Sequence, residues 1–317
     1  MLRRALEFCA YRGAALLAVS IFLGLLVPPL ARAFRFIITP TVVGLMTLVL
    51  LRVDFGAVLA YLRRPALVLG LLAWLMLVCP VLVWAIGRLT GFAGPLADAM
   101  VIMATGCAAT SAPAFARLVG LEPQLSLVAS VLSTLVVPFS APPLALGLSG
   151  VALPLTVGGL SARLALVVGL PLLISLAVRR LAGEERLAPR GRAIDGAAVL
   201  LVSAYGIGVM DGILATLLVR PGYVVSGVAL AFLGNFGLNA ATAAVFLPFG
   251  KRIALSTGLL SGNRNMALYL AVMPPETGFD VLVFFALCQF PLFLSPFLLR
   301  PVYRCLVRPL PSAPPRS

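Results

Sequence analysis

Ten apolar runs follow one another along the chain, each near the length that a helix needs to cross a bilayer. A hydrocarbon core about 30 Å thick takes roughly 20 apolar helical residues, because every backbone N–H and C=O must be paired where water is absent. Apolar residues make up 62% of the 317 and charged residues 11%, against roughly 45–50% and 25% in water-soluble domains. Water therefore cannot be the solvent for most of the surface. The runs cover 13–30, 36–51, 65–87, 97–119 (interrupted), 123–147, 161–178, 194–217, 222–247, 253–275 (interrupted) and 279–299. They use nearly the whole length. This predicts one all-α integral membrane domain over 1–317, with about ten transmembrane helices and a disordered Pro- and Ser-rich tail at 309–317.

Arg3 and Arg4 ahead of an apolar stretch that closes on Ala31-Arg32-Ala33 imitate a cleaved leader. The run from Gly13 to Leu30 is longer than the 7–15 or so residues of a leader's apolar core, so a retained first helix is expected.

The net charge of +14 does not point to nucleic acid, because the basic residues sit at segment ends and form no stripe. One side of the bundle collects Arg3, Arg4, Arg12, Arg52, Arg63, Arg64, Arg117, Arg179, Arg180, Arg186, Arg190, Arg192, Lys251, Arg252, Arg300, Arg304, Arg308 and Arg316, which is 18 residues. The other side holds Arg32, Arg35, Arg88, Arg163 and Arg220, which is 5, with Arg264 left inside a segment. The positive-inside rule then places both termini in the cytoplasm and the chain in a cell (inner) membrane.

Chemistry is poorly provided for. The sequence has no histidine, its five cysteines (Cys9, Cys79, Cys107, Cys288, Cys305) are scattered singly, and Asp211 is the one carboxylate plausibly inside a segment, Asp98, Asp195 and Asp280 falling at the first residues of their runs. Neither a catalytic constellation nor a metal set can be assembled from these, so an enzyme is not expected and no cofactor is called for.

Internal symmetry points elsewhere. The fifth run contains Pro138 and Pro143 and the tenth Pro291 and Pro296, the same Pro-x4-Pro spacing five segments apart. The fourth and ninth runs are the two most interrupted by small and polar residues. Five helices per half is an odd number, so the halves (about 13–147 and 161–303) must be inverted repeats, with helices 4 and 9 broken. Paired broken helices in inverted repeats are a design of secondary transporters.

The fourth run reads Thr105-Gly-Cys-Ala-Ala-Thr110-Ser111-Ala-Pro113. Non-helical backbone at mid-bilayer lines a wet cavity or is buried in protein, and a packing kink between small residues accounts for this segment equally well. The ninth run reads Gly258-Leu-Leu-Ser-Gly262-Asn263-Arg264-Asn265. An arginine at the bilayer centre costs about 2.5–3.5 kcal/mol, and Arg264 lies about a dozen residues from either end, too far to snorkel at 1.5 Å per residue. It is expected to face a cavity or a partner at the repeat interface. Asp211 pairs with Arg264, carries a proton or marks a helix end. Asn235 and Asn239, at i, i+4 spacing, are interhelical glue or ligands.

The segment order and local wording resemble the bile acid:sodium symporter family and its wider bile/arsenite/riboflavin transporter relatives. Leu125-Ser126, Ser130, Ser133-Thr134 and Pro138 are similar to that family's fifth-helix pattern, and Gly262-Asn263-Arg264-Asn265 with Leu268 to Ala271 is similar to its G-M-Q-N element. The resemblance implies a panel domain and a core domain, with the fourth and ninth helices crossing in the core. Its sodium-coupled members hold one ion with a Ser-Asn pair on the broken fourth helix, hydroxyls on the fifth and a Glu before G-M-Q-N. Here Ser126 and Ser130 keep the hydroxyl positions, Ala112-Pro113 replaces the pair, and the Glu becomes Leu260 or, in the other register, Ser256. The third-helix Gln of the second ion falls near Leu75, and the G-M-Q-N Gln is Arg264 itself.

A sodium ion needs oxygen ligands and usually a negative charge, and an arginine repels it. Arg264 is expected to stand in for the missing cation and to favour an anionic substrate, helped by the positive ends of the half-helices. The reading is a secondary carrier of a small or amphipathic organic anion, working by alternating access and not sodium-coupled through the family's usual sites. Sodium or proton coupling by another route stays open, as do a sodium-dependent bile acid-like symporter and a channel-like protein. Arg264, Asn263, Asn265, Thr110, Ser111, Ser133 and Thr134 are the candidate substrate site, and Ser126 and Ser130 the candidate ion site.

Overall fold

The computed structural model describes residues 2–53, 55–150, 155–274 and 277–307. The expected disordered tail at 309–317 lies outside the described residues. The chain is all-α: α1 (Leu2–Tyr11), α2 (Gly13–Leu26), α3 (Pro28–Arg35), α4 (Ile38–Leu51), α5 (Phe55–Leu62), α6 (Pro65–Ala73), a π-helical turn (Trp74–Val78), α7 (Cys79–Thr90), α8 (Pro95–Thr105), α9 (Ala112–Val119) and α10 (Pro123–Leu148). There follow α11 (Val157–Ala182), α12 (Glu184–Leu187), α13 (Gly191–Val209), α14 (Ile213–Val219), α15 (Pro221–Phe246), α16 (Lys251–Gly262), α17 (Met266–Val272), α18 (Phe279–Leu287) and α19 (Gln289–Leu306).

Six helices are long and apolar enough to cross a membrane, and eight if each of two bent pairs is one span. The chain is thus a multi-pass membrane protein. The expected boundaries hold within a few residues for most runs, and the departures have local causes. The run expected at 13–30 breaks at Val27, because Pro28 cannot continue the ladder of α2 and instead opens α3. The run at 194–217 is divided at Gly212, whose φ of +80° lies in the left-handed region open to glycine.

The helices sort into two groups. In one, α13 packs on α1, α2, α3 and α4, and α4 packs on α11. In the other, α15 lies along α16, while α8 contacts α7, α10 and α18 and α9 contacts α10 and α19. The second group holds the interior: 72% of the most apolar window of α18–α19 is buried, against 28% for α11, which therefore presents most of its surface to lipid. Tyr269, Phe115, Phe284, Phe285 and Phe293 are its largest fully buried side chains.

Polar contacts respect the two ends of the bundle. Arg3 donates to the Pro189 carbonyl, Arg52 pairs with Asp195 at 3.0 Å, and Arg179 donates to the Leu51 and Val53 carbonyls, all within the arginine-rich end. Arg35 with Asp211, Arg220 with Asp280, and Arg163 with the Val272 carbonyl join segments of the arginine-poor end. No such pair joins the two ends among the described residues.

Candidate functional site: the crossing of two interrupted helices

The ladder from α8 to α9 is interrupted over 106–111, where Gly106 turns extended (ψ 153°). A Cβ at Gly106 would press on the Met266 methyl at 2.9 Å, so glycine lets the strand of backbone settle against the ninth-run break. After α9, Gly120 (φ +80°) closes the helix with a Schellman pattern, Leu121 N–H reaching the Ala116 carbonyl at 2.8 Å. The second interruption spans Asn263–Asn265, between α16 and α17.

The two breaks meet and pair. Ala108 and Arg264 form an isolated antiparallel bridge: Ala109 N–H donates to the Asn263 carbonyl (2.8 Å) and Asn265 N–H to the Cys107 carbonyl (2.9 Å). Backbone groups freed from one helix thus satisfy those freed from the other, as burial away from water demands.

Arg264 sits at this junction with 3% of its surface exposed. Its Nε donates to the Ser261 carbonyl (2.8 Å), its Nη1 to the carbonyls of Gly106 (2.8 Å) and Leu75 (2.9 Å), and its Nη2 to the Ser261 hydroxyl (3.5 Å). Each carbonyl is free for a local reason. Ser261 lies one turn before Asn265, whose N–H has gone to Cys107. Gly106 ends α8. In the π-turn Cys79 N–H reaches back to Trp74, and Pro80, the next residue along, has no N–H to offer Leu75. Among the described residues no carboxylate pairs with the guanidinium. The arginine is a buried charge surrounded by oxygen dipoles.

The surrounding polar groups come from three further helices. Ser133 of α10 accepts from Ala108 N–H (3.2 Å), and Thr134 donates to the Cys107 sulfur (3.5 Å). Asn235 of α15 donates through Nδ2 to the Gly262 carbonyl (2.8 Å) and to Asn263 Oδ1 (3.1 Å), which also accepts from Ser295 of α19 (3.4 Å). Asn235 Oδ1 and Asn263 Nδ2 are buried without a partner among the described residues. Close approach of α15 and α16 depends on two glycines: a Cβ at Gly258 would fall 2.6 Å from the Asn239 carbonyl, and one at Gly262 would overlap that of Asn235. Cys79 and Ser261 are in contact at 3.3 Å.

Of the residues singled out in the sequence, Arg264, Asn263, Asn265, Ser133 and Thr134 are brought together. Thr110 and Ser111 lie half-buried in the turn beyond the bridge, with no side-chain hydrogen bond among the described residues. Ser126 and Ser130 are buried on α10 but donate to their own helix, to the Glu122 and Leu127 carbonyls. Asp211 does not reach Arg264. It pairs with Arg35 at 3.0 Å just past the end of α13, where it marks the helix end. Asn235 acts as glue at the crossing, and Asn239 exchanges hydrogen bonds with Tyr303. Ser261, Ser295 and the Leu75 carbonyl went unmarked in the sequence, although Pro80 signalled a freed carbonyl one turn before it.

No protein-family model matches the chain, and no curated protein matches it either.

Proposed function

We propose that the protein is a secondary carrier of a small or amphipathic organic anion, working by alternating access, and a divergent member of the bile acid:sodium symporter family. The observation that carries this reading is the buried Arg264 guanidinium, held by four oxygens and, among the described residues, by no carboxylate, where two interrupted helices cross. Interrupted helices back to back at the centre of a bundle are a device of carriers, and an uncompensated positive charge in low dielectric favours an anion nearby. Counting the interrupted pairs α8–α9 and α16–α17 with the six long helices, α2 and α4 gives ten spans, which this reading arranges as two inverted halves. The arginine-rich end is assigned to the cytoplasm with both termini.

The same geometry supports loss of the sodium requirement. Leu75, Gly106 and Ser261 supply the kind of oxygen set that would take a hard cation, and the guanidinium of Arg264 already occupies it. The positive charge is tethered to the chain and need not be drawn from solution.

Purified protein in proteoliposomes tests this. Saturable uptake of labelled organic anions with counterflow is expected, unchanged when sodium is replaced by N-methylglucamine at clamped potential. Arg264→Ala should abolish it while inserting normally. Uptake that rises steeply with sodium, or wild-type uptake by Arg264→Ala, would contradict the reading.

A further inference from the structure

The first helix has a role that the crossing does not explain. α1 meets the next helical segment, Ala15–Leu26, at 88°. A helix at right angles to a spanning helix lies along the membrane plane, and α1 is too short and too charged to cross. It is fixed from one side. A Cβ at Gly196 of α13 would overlap the Leu6 main chain, so the two backbones lie in contact, and Arg3 is tied to Glu7 (2.8 Å) and to the Pro189 carbonyl (3.1 Å).

The other face is a stripe at i, i+4, i+7 and i+8: Arg4, Phe8, Tyr11 and Arg12. Phe8 is 60% and Tyr11 81% exposed. The Arg12 guanidinium stands 5.5 Å from the Tyr11 ring centre, and Arg4 has no ionic or hydrogen-bond partner among the described residues. Exposed aromatic rings interleaved with guanidinium groups that meet no carboxylate among the described residues match the headgroup region, where rings sit among glycerol and carbonyl groups and cations meet phosphate. The rim beside this helix strengthens the charge. Arg180, Arg186, Arg190 and Arg192 are all exposed there against the single exposed Glu185 among the described residues, while Glu7 and Asp195 are paired with Arg3 and Arg52.

We propose that α1 is an in-plane anchor that selects anionic phospholipid, with Arg4 and Arg12 binding the headgroup phosphates and Phe8 and Tyr11 entering the acyl boundary. The charge complementarity decides the occupant: a zwitterionic surface would satisfy the rings and leave the guanidinium groups without a net counter-charge.

Full-length protein in detergent, offered equal amounts of phosphatidylglycerol and phosphatidylcholine, provides the test, with bound lipid counted by native mass spectrometry. The wild type should retain phosphatidylglycerol preferentially, and the preference should shrink as salt is raised. Each arginine removed should reduce it by roughly fivefold, so the double variant Arg4→Gln/Arg12→Gln loses roughly 25-fold. Arg88→Gln, at the arginine-poor end, should leave it unchanged. An unaltered melting temperature in detergent alone would show that the double variant is folded. Equal retention of both lipids by the wild type, an undiminished preference in the double variant, or the same loss in Arg88→Gln would each overturn the proposal.

Discussion

Replacing Arg264 by methionine separates the two costs that meet at the crossing. Methionine fills much of the same length with no charge and no donor. The carbonyls of Leu75, Gly106 and Ser261 then lose the partner that Arg264 gives them in a buried site. An unmet buried acceptor costs about 1–3 kcal/mol, so three come to about 6 kcal/mol. Against this stands the relief of no longer holding a guanidinium at mid-membrane, about 3 kcal/mol. The expected net loss is about 3 kcal/mol, a large part of the stability of a typical domain. Arg264→Lys should lose less in electrostatics yet fail to restore stability, since a compact ammonium cannot replace three donors spread over a planar fork. Unfolding of purified protein in mixed micelles by a denaturing detergent would give the free energies. Hydrogen exchange would report whether the Ala109 and Asn265 amides open in step. An Arg264→Met variant as stable as the wild type, with those amides equally protected, would refute the view that the charge holds the junction together.

Three further outcomes follow from neighbouring contacts. Gly262→Ala puts a methyl group into the Asn235 carbonyl and should cost about 3 kcal/mol, read as a lower midpoint in the same unfolding assay. Pro80→Ala supplies the missing N–H, letting the Leu75 carbonyl return to its own helix; anion uptake should fall although the third span gains regularity. Asp211→Asn breaks an ion pair whose arginine is 65% exposed, so it should cost less than about 1 kcal/mol and leave uptake unchanged.

What could be read from sequence was whatever depends on the length and continuity of apolar runs. Residues 123–147 and 222–247 are nearly uninterrupted, and α10 and α15 follow them within about two residues. The two interruptions were visible for a related reason: small and polar residues crowd into one short stretch of each run, whereas in α10 the prolines are carried inside a continuous helix. That Arg264 would be buried followed from counting residues. The identity of its partners did not, because backbone carbonyls leave no mark in the sequence, and Asp211, for which one of three readings was a partnership with Arg264, lies with Arg35. α1 escaped notice for the opposite reason. Its apolar residues are too few for a spanning run, and its packing on Gly196 of α13 joins positions far apart in the chain.

The bridge between Ala108 and Arg264 has a consequence for tolerance to change. Both hydrogen bonds run from main chain to main chain, Ala109 to Asn263 and Asn265 to Cys107. The side chains at 107, 109 and 265 can therefore be exchanged without severing the seam, provided the space around them allows it. Among substitutions at these three positions, only one that deletes a donor cuts it directly. Of the residues the genetic code offers, that is proline alone, at 109 or 265.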